Sequence, residues 1–177
     1  MGDLSVDAIA SLIRDVPDFP EPGITFKDIT PLLADPEGLD STMRLLAEPW
    51  RDREVDVVVG IEARGFILGT SVARELGVGF VPIRKAGKLP STTVAETYGL
   101  EYGTDTIEMH ADAVGPAARV LVLDDVLATG GTAAAAGALL ERVGAEVVGY
   151  SFLMELAFLN GRAKLGGATI ESMIEVA

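Results

Sequence analysis

The chain alternates short apolar runs with stretches in which apolar residues recur at helical spacing. The apolar runs are typical of buried parallel strands and lie at residues 55–61, 80–83, 120–123, 146–153 and 170–176. Helical spacing occurs at residues 4–15, 39–52, 66–76 and 133–140. This alternation predicts an α/β fold, in which a mostly parallel twisted sheet is flanked by helices on both faces. Asp40 or Ser41 is the expected cap of the second helix.

Two segments interrupt this alternation. Residues 16–33 contain four prolines, and a proline-rich loop of this length in a compact domain is usually functional. We expect this segment to form a small hood over the carboxyl edge of the sheet. Residues 85–109 are expected to form a flexible lid loop, within which two extended arms pair antiparallel at residues 94–98 and 106–110.

Composition narrows the class of protein. At 177 residues, 49% of them apolar, the chain is expected to form a single domain over residues 1–177 with a sizeable core. The net charge of −13 repels nucleic acid and anionic lipid, so neither is expected as a partner. No apolar run approaches the length of a membrane span. The absence of cysteine excludes disulfides and thiolate chemistry, and it fits a cytoplasmic location.

The strongest candidate for chemistry lies at residues 120–132, where an apolar run is followed by Asp124 and Asp125 and then by a turn of small residues. We call residues 128–132 the glycine turn. Gly130 and Gly131 allow the backbone to approach an anion closely, and the helix that follows presents free N–H groups to it. Two adjacent carboxylates at a strand end suit ribose hydroxyls or a magnesium ion on a diphosphate. The alternative is an ordinary strand-to-helix turn with capping residues.

Basic residues follow two other predicted strands in the sequence. Arg64 follows the run at 55–61, and Arg84, Lys85 and Lys88 follow the run at 80–83. The carboxyl ends of parallel strands meet at the ligand-binding edge of a sheet. In so acidic a chain these residues are candidates for binding an anion. The alternatives are a surface salt bridge for Arg64 and a solvated charge run for the other three.

These patterns together resemble a known family. The string at 120–132 resembles the phosphoribosyl diphosphate (PRPP) signature of the type I phosphoribosyltransferases. Three further stretches resemble the adenine-specific branch of that family, at residues 19–33, 60–66 and 84–103. The string is not a Walker A loop, because no Gly-Lys-Ser/Thr follows it.

The resemblance implies the type I phosphoribosyltransferase fold and a purine salvage reaction. The 5-phosphoribosyl group of PRPP would pass to N9 of adenine, giving AMP and diphosphate, with Mg²⁺ carried on PRPP rather than bound directly by the protein. It further implies a homodimer and a non-proline cis peptide in the turn after residue 61.

The resemblance also implies roles for individual residues. PRPP and AMP would be bound by Asp124, Asp125, Ala128, Thr129, Gly130, Gly131, Thr132, Arg64, Arg84, Lys85 and Lys88. Adenine would be bound by Thr25, Phe26 and Leu127, and Glu101 would be the general acid/base near N7. From composition alone, Phe26 is better explained as a hydrophobic plug, and Glu101 as a plain surface acid.

Two other functions remain open at this point. The chain could use another base, such as hypoxanthine, guanine or xanthine. It could also be a non-catalytic PRPP-sensing regulator that binds nucleic acid, although its acidic balance argues against this.

Overall fold

The structure is a computed structural model that describes residues 4–100 and 103–177. It divides into two compact units, Met1–Leu45 and Leu46–Ala177. The single functional domain over residues 1–177 stays a prediction. In the part of the chain that the structure describes, no helix combines the length and the apolar character needed to cross a bilayer.

The first unit contains short elements, in chain order α1 Val6–Ser11, β1 Arg14–Val16, β2 Phe26–Asp28, α2 Thr30–Ala34 and the first part of α3 Pro36–Ala47. The helix predicted over residues 4–15 ends early because β1 pairs antiparallel with β2. An ion pair of 2.5 Å between Arg14 and Asp28 joins the two strands. This arginine and the hydroxyl of Thr30 lower the pKa of Asp28 to about 2. The proline-rich segment is therefore partly regular rather than a continuous loop.

The predicted cap of α3 is wrong. The helix begins at Pro36, and the side chain of Asp35 accepts the N–H of Gly38 at 2.7 Å. A proline fits the first helical position because its missing N–H would have no partner there. Asp40 and Ser41 lie inside the helix, where Ser41 is buried and accepts the N–H of Leu4 at 3.1 Å.

The second unit is built on a seven-stranded sheet of order β5-β6-β4-β3-β7-β8-β9. The elements are β3 Val57–Ile61, α4 Arg64–Leu76, β4 Gly79–Lys85, β5 Thr93–Leu100, β6 Gly103–His110, β7 Arg119–Leu127, α5 Gly131–Arg142, β8 Glu146–Leu156 and β9 Ile170–Val176. Strands β4, β3, β7, β8 and β9 pair in parallel, whereas β6 is antiparallel to both of its neighbours. The predicted α/β fold with a mostly parallel sheet is confirmed.

The connections diverge from the central pair of strands. The chain leaves β3 through α4 towards β4 on one side, and it leaves β7 through α5 towards β8 on the other. Because such crossovers are right-handed, the two helices lie on opposite faces of the sheet. The carboxyl ends of β3 and β7 therefore form a topological switch point, which is where open α/β sheets bind ligands.

The predicted antiparallel arms are confirmed as β5 and β6, whose register pairs Val94 with Met109 and Tyr98 with Asp105. The strands occupy most of the segment predicted as a loop, because β-branched and aromatic residues favour extended backbone there. Arg142 of α5 donates to the carbonyl of Ala95 at 2.6 Å and joins this hairpin to the helix. Lid motion stays a prediction.

The chain after β8 forms two 3₁₀ turns, Ala157–Leu159 and Gly161–Leu165, before β9. A short helix or turn at residues 156–165 and a last strand were both predicted from the sequence. Strand β8 is longer than predicted, because its pairing with β7 continues to the contact of Leu127 with Glu155.

Candidate active site

A cavity of about 250 Å³ opens at the switch point. Five of the predicted site residues line it, namely Arg64, Lys85, Asp124, Asp125 and Thr132. The other lining residues are Ile61, Glu62, Ala63, Ile83, Tyr98, Asp105, Ile107 and Val126. Residues far apart in the sequence thus converge because β3, β4 and β7 end side by side.

The acid pair lies inside strand β7 rather than just after it. Pairing of β7 with β3 stops at Leu123, which lies opposite Gly60. Pairing with β8 continues to Leu127. Asp124 and Asp125 therefore lie where β7 extends past its neighbour β3, and this offset opens the cavity beside them.

Asp125 is 4% exposed, and its Oδ2 lies 2.6 Å from Nε of Arg64. Asp124 accepts the N–H of Asp125 at 2.9 Å. Burial and the neighbouring charge of Asp125 raise the pKa of Asp124 well above its usual range. Burial also raises the pKa of Asp125, although the guanidinium of Arg64 acts against this shift. The cavity thus contains two desolvated carboxyls beside one arginine, an arrangement suited to accepting hydroxyl hydrogen bonds.

Replacing Asp124 with asparagine is expected to stabilise the ligand-free protein at neutral pH. The raised pKa of Asp124 means that the folded state carries a cost when this carboxyl is ionised, and asparagine has no charge to desolvate. Its amide oxygen can still accept the N–H of Asp125. We expect the free energy of unfolding to rise by about 1 kcal/mol, or about 2–4 °C in Tm for a chain of this size.

The expected gain in stability of Asp124→Asn depends on pH. Because the pKa of Asp124 is raised in the folded state, that state binds more protons than the unfolded chain at intermediate pH, and wild-type stability falls as pH rises through this window. The difference between variant and wild type should shrink towards about pH 4, where an unfolded aspartate titrates. Thermal unfolding at neutral pH and at about pH 4 measures this difference in stability, with the exposed Asp112→Asn as control. A lower Tm for Asp124→Asn at neutral pH would contradict the electrostatic argument.

Helix α4 approaches β7 closely beside the acid pair. A Cβ atom on Gly65 would lie 2.9 Å from both the carbonyl oxygen of Leu123 and Oδ1 of Asp124. Only a residue without a side chain fits here, and it brings the start of the helix against the acids. The peptide bond between Glu62 and Ala63 is cis, so the cis peptide implied by the family resemblance is confirmed.

Two of the basic residues at the end of β4, Arg84 and Lys85, form ion pairs with carboxylates. Arg84 lies 3.1 Å from Glu62, whose carboxylate also accepts the N–H of Lys85. Burial alone would raise the pKa of Glu62, but these hydrogen bonds outweigh it and lower the pKa. Lys85 reaches Asp105 at 3.2 Å, and this contact lowers the pKa of that acid. Arg84 also donates to the carbonyl of Lys88. Arg84 and Lys88 do not line the cavity, whereas Lys85 does.

The glycine turn leads into α5. Gly130 has φ +76° and caps the helix, which begins at Gly131. The predicted helix over residues 133–140 is thus extended at both ends. The first N–H groups of α5 have no partner within the helix. The hydroxyl of Thr132 donates to the phenol oxygen of Tyr98 at 3.2 Å, so the hairpin contacts the start of the helix.

Three of the polar side chains that line the cavity were not among the predicted site residues: Glu62, Tyr98 and Asp105. Tyr98 and Asp105 lie opposite each other across the hairpin. Their pairing follows from the register of the two arms, so the register was the signal that could have identified them.

None of the described residues assigned to adenine lines this cavity. Thr25 is exposed, and Phe26 is half-buried in β2 with its ring edge-on to Phe19 at 5.3 Å. Leu127 is 1% exposed within the core of the second unit. Glu101 lies outside the described residues.

Within residues 4–100 and 103–177, no three histidine, cysteine, aspartate or glutamate side chains are grouped as a metal site. Carboxylate oxygens are nevertheless the ligand type that Mg²⁺ prefers. The cavity lining holds four carboxylates, Glu62, Asp105, Asp124 and Asp125, against the two cations Arg64 and Lys85. An anionic ligand that brings its own cation fits this balance of charge.

Comparison with known proteins places this chain in a family. A family model of the phosphoribosyl transferase domain matches residues 28–162. The adenine phosphoribosyltransferase of Thermobifida fusca is 58% identical over 164 residues, covering 93% of this chain and 93% of that protein. The crystal structure of adenine phosphoribosyltransferase from Thermoanaerobacter pseudethanolicus has a TM-score of 0.95 at 48% identity, covering 97% of this chain and 100% of that chain.

A third relative was solved with ligands. The Saccharomyces cerevisiae adenine phosphoribosyltransferase, in complex with D-2,5-dideoxy-2,5-imino-altritol 1,6-bisphosphate and adenine, has a TM-score of 0.90. It is 40% identical, with coverage of 95% of this chain and 97% of that chain. The family model matches residues 28–162, and these relatives each cover at least 93% of this chain. The chain belongs to the adenine phosphoribosyltransferases.

Proposed function

We propose that the cavity is the site at which this chain transfers the 5-phosphoribosyl group of PRPP to N9 of adenine, giving AMP and diphosphate. The relatives of this chain carry the name of that activity. The yeast relative binds adenine together with a bisphosphate of an imino sugar. The observation that carries the proposal is the acid pair, half-buried Asp124 and buried Asp125, which precedes the glycine turn and the start of α5 at the switch point of the sheet.

The sugar end of PRPP is bound by the end of β7 and the glycine turn that follows it. The glycine turn and the first N–H groups of α5 donate hydrogen bonds to the 5′-phosphate, because both the unpaired donors and the helix dipole favour an anion. The hydroxyls of Thr129 and Thr132 add donors. Asp124 and Asp125 accept the two ribose hydroxyls, so the ring lies between the acids and the turn.

The diphosphate end faces the cations. Lys85 and Arg64 line the cavity. Arg84 and Lys88 do not line it, and Arg84 donates to the carbonyl of Lys88. Magnesium carried on PRPP would neutralise part of the charge on the leaving diphosphate, beside Arg64 and Lys85. This accounts for a cavity richer in carboxylates than in cations, because the substrate contributes part of the positive charge.

The reaction is a displacement at C1′ of the ribose. A bond forms between N9 of adenine and C1′ while the bond to the diphosphate oxygen breaks, and the electron pair leaves with diphosphate. The sugar passes through an oxocarbenium-like state, which the carboxylates of Asp124 and Asp125 stabilise. Glu101, the general acid/base proposed near N7, accepts the proton that the purine loses as N9 bonds to C1′. The rate acceleration is therefore attributed to positioning of the reactants and to electrostatic stabilisation of the transition state.

We propose on the family resemblance alone that Phe26 stacks on adenine and that the backbone of Thr25 reads its edge. Leu127, which the resemblance also assigns to the base, is 1% exposed. Phe26→Ala is expected to raise the KM for adenine about 10-fold, since stacking on a base contributes about 1–3 kcal/mol. The KM for PRPP should stay within about twofold, and steady-state kinetics with each substrate varied in turn measure both. Phe19→Ala is the matched control, because Phe19 is an exposed ring that touches Phe26. A change confined to the KM for PRPP would remove Phe26 from the base site.

The activity is tested by incubating the protein with PRPP, magnesium and each purine in turn, with detection of the nucleotide. AMP from adenine is the expected product. Preferential use of hypoxanthine, guanine or xanthine would assign the chain to another base. Absence of any nucleotide, together with retention on a nucleic-acid column at physiological salt, would favour a PRPP-sensing regulator.

The assembly and location of the protein are also proposed. A homodimer fits the family resemblance and the exposed apolar side chains of the second unit, of which Ile67 is 47% and Phe158 65% exposed. Light scattering of the purified protein tests the mass. A cytoplasmic location fits the absence of cysteine.

A further inference from the structure

The glycine turn packs against the 3₁₀ segment that follows β8. A Cβ atom on Gly130 would meet the carbonyl oxygen of Gly161. A Cβ atom on Gly161 would in turn meet the carbonyl oxygen of Ala128, and it would lie 3.0 Å from Cδ1 of Leu127 and 3.1 Å from the nitrogen of Gly130. Two backbones touch here without a side chain between them.

An ion pair between the exposed Arg162 and the buried carboxylate of Glu155 fixes the segment that carries Gly161. Nε of Arg162 lies 2.8 Å from both carboxylate oxygens of Glu155, and Nη2 lies 2.7 Å from Oε2. The carboxylate is 5% exposed. Nη1 of Arg162 also donates to the carbonyl of Ile170 at 3.2 Å, which ties the segment to β9. Arginine suits this place because its fork binds a carboxylate at several points.

The same ion pair is in register with the start of the glycine turn. Glu155 of β8 pairs with Leu127 of β7, and the turn begins at the next residue after Leu127. The carboxylate therefore holds Arg162 beside the strand end from which the turn departs. The position of residues 128–130 is set from two directions, by β7 along the chain and by Gly161 from outside.

We propose that Gly161 and the Glu155–Arg162 ion pair are positioning residues for the glycine turn, holding its backbone in the shape that binds the phosphate monoester of a sugar phosphate. They act through the turn and do not touch the substrate. The proposal rests on the proposed function, because it assigns the 5′-phosphate to this turn. It gives the segment after β8, to which the sequence assigned no site, a part in substrate binding.

The test compares Gly161→Ala with Gly115→Ala. A Cβ atom added to Gly115 would meet no atom within 4 Å. Neither glycine has a positive φ, so the backbone dihedral angles at both positions are open to alanine. At Gly161 the methyl group must displace the carbonyl of Ala128. We expect the KM for PRPP and the Kd for ribose 5-phosphate to rise about 10-fold to 100-fold, the range expected for a shift of about 1 Å at a binding site. The KM for adenine should stay within about twofold.

Calorimetric titration with ribose 5-phosphate and with diphosphate separates positioning from general destabilisation. Gly161→Ala should lose affinity for ribose 5-phosphate and keep its affinity for diphosphate. Arg162→Lys keeps the charge but loses the fork, and we expect the same selective loss to a smaller degree. Equal losses for both ligands, or values that match Gly115→Ala, would overturn the proposal.

Failure of this inference is distinguishable from failure of the proposed function. If the wild-type protein makes AMP and binds ribose 5-phosphate while Gly161→Ala behaves as the control does, only the positioning role is lost. If the wild-type protein neither binds ribose 5-phosphate nor makes AMP, the proposed function is lost as well.

Discussion

Asp124→Asn combined with Asp125→Asn is expected to reduce use of PRPP by about 100-fold or more. A hydrogen bond to a charged group contributes about 1.5–3 kcal/mol, and each carboxylate is proposed to hold one ribose hydroxyl. Two such bonds lost together correspond to at least about two orders of magnitude. The loss in turnover should exceed the loss in binding, because the negative charge that stabilises the sugar cation is also removed.

The measurement is kcat/KM for PRPP at saturating adenine, together with the affinity for PRPP. Asp112→Asn is the matched control, since this acid is exposed and lies away from the cavity lining. Unchanged affinity of the double variant for PRPP would show that the ribose lies elsewhere. The same substitution at Asp124 is expected to raise stability, so one residue should show opposite effects on folding and on function.

Glu101→Gln is expected to lower kcat by about 100-fold to 10,000-fold, the usual contribution of a general acid or base. The amide keeps the size of the side chain but cannot exchange the purine proton. The KM for adenine should change far less, because the proposed role lies in the chemical step.

The effect of Glu101→Gln is read from single-turnover rates, which separate the chemistry from product release. Glu96→Gln is the matched control, because Glu96 lies in the same hairpin and pairs with Arg142 rather than lining the cavity. An unchanged single-turnover rate for Glu101→Gln would exclude Glu101 from the chemistry.

Much of the fold was predictable because its signals are local. Apolar runs, helical spacing and glycine punctuation each act within a few residues, and they located the parallel strands and α4. The hairpin was predicted for the same reason. The cap of α3 was missed because Asp35 precedes a proline, and the stronger apolar pattern begins later.

The site was predictable as a set of strand ends but not as a set of contacts. The sequence placed Arg64 and Asp125 at the same edge, yet their 2.6 Å ion pair depends on how far β7 extends past β3. The pairing of Lys85 with Asp105 depends on the hairpin crossing beside β4. Such contacts join residues distant in sequence, and no local pattern specifies their geometry.

The support of the glycine turn shows the same limit. Gly161 lies 31 residues after Gly130, the nearer of the two turn residues that it touches, within a segment of ordinary composition. Nothing in its neighbourhood marks it as different from other glycines. The contact becomes visible only when β8 is placed beside β7.

The most direct test of the account is a crystal structure of the protein with AMP. We expect the 5′-phosphate to lie on the N–H groups of the glycine turn, with the ribose hydroxyls on Asp124 and Asp125. A nucleotide bound away from this turn, or a phosphate that contacts neither the turn nor the start of α5, would contradict the account.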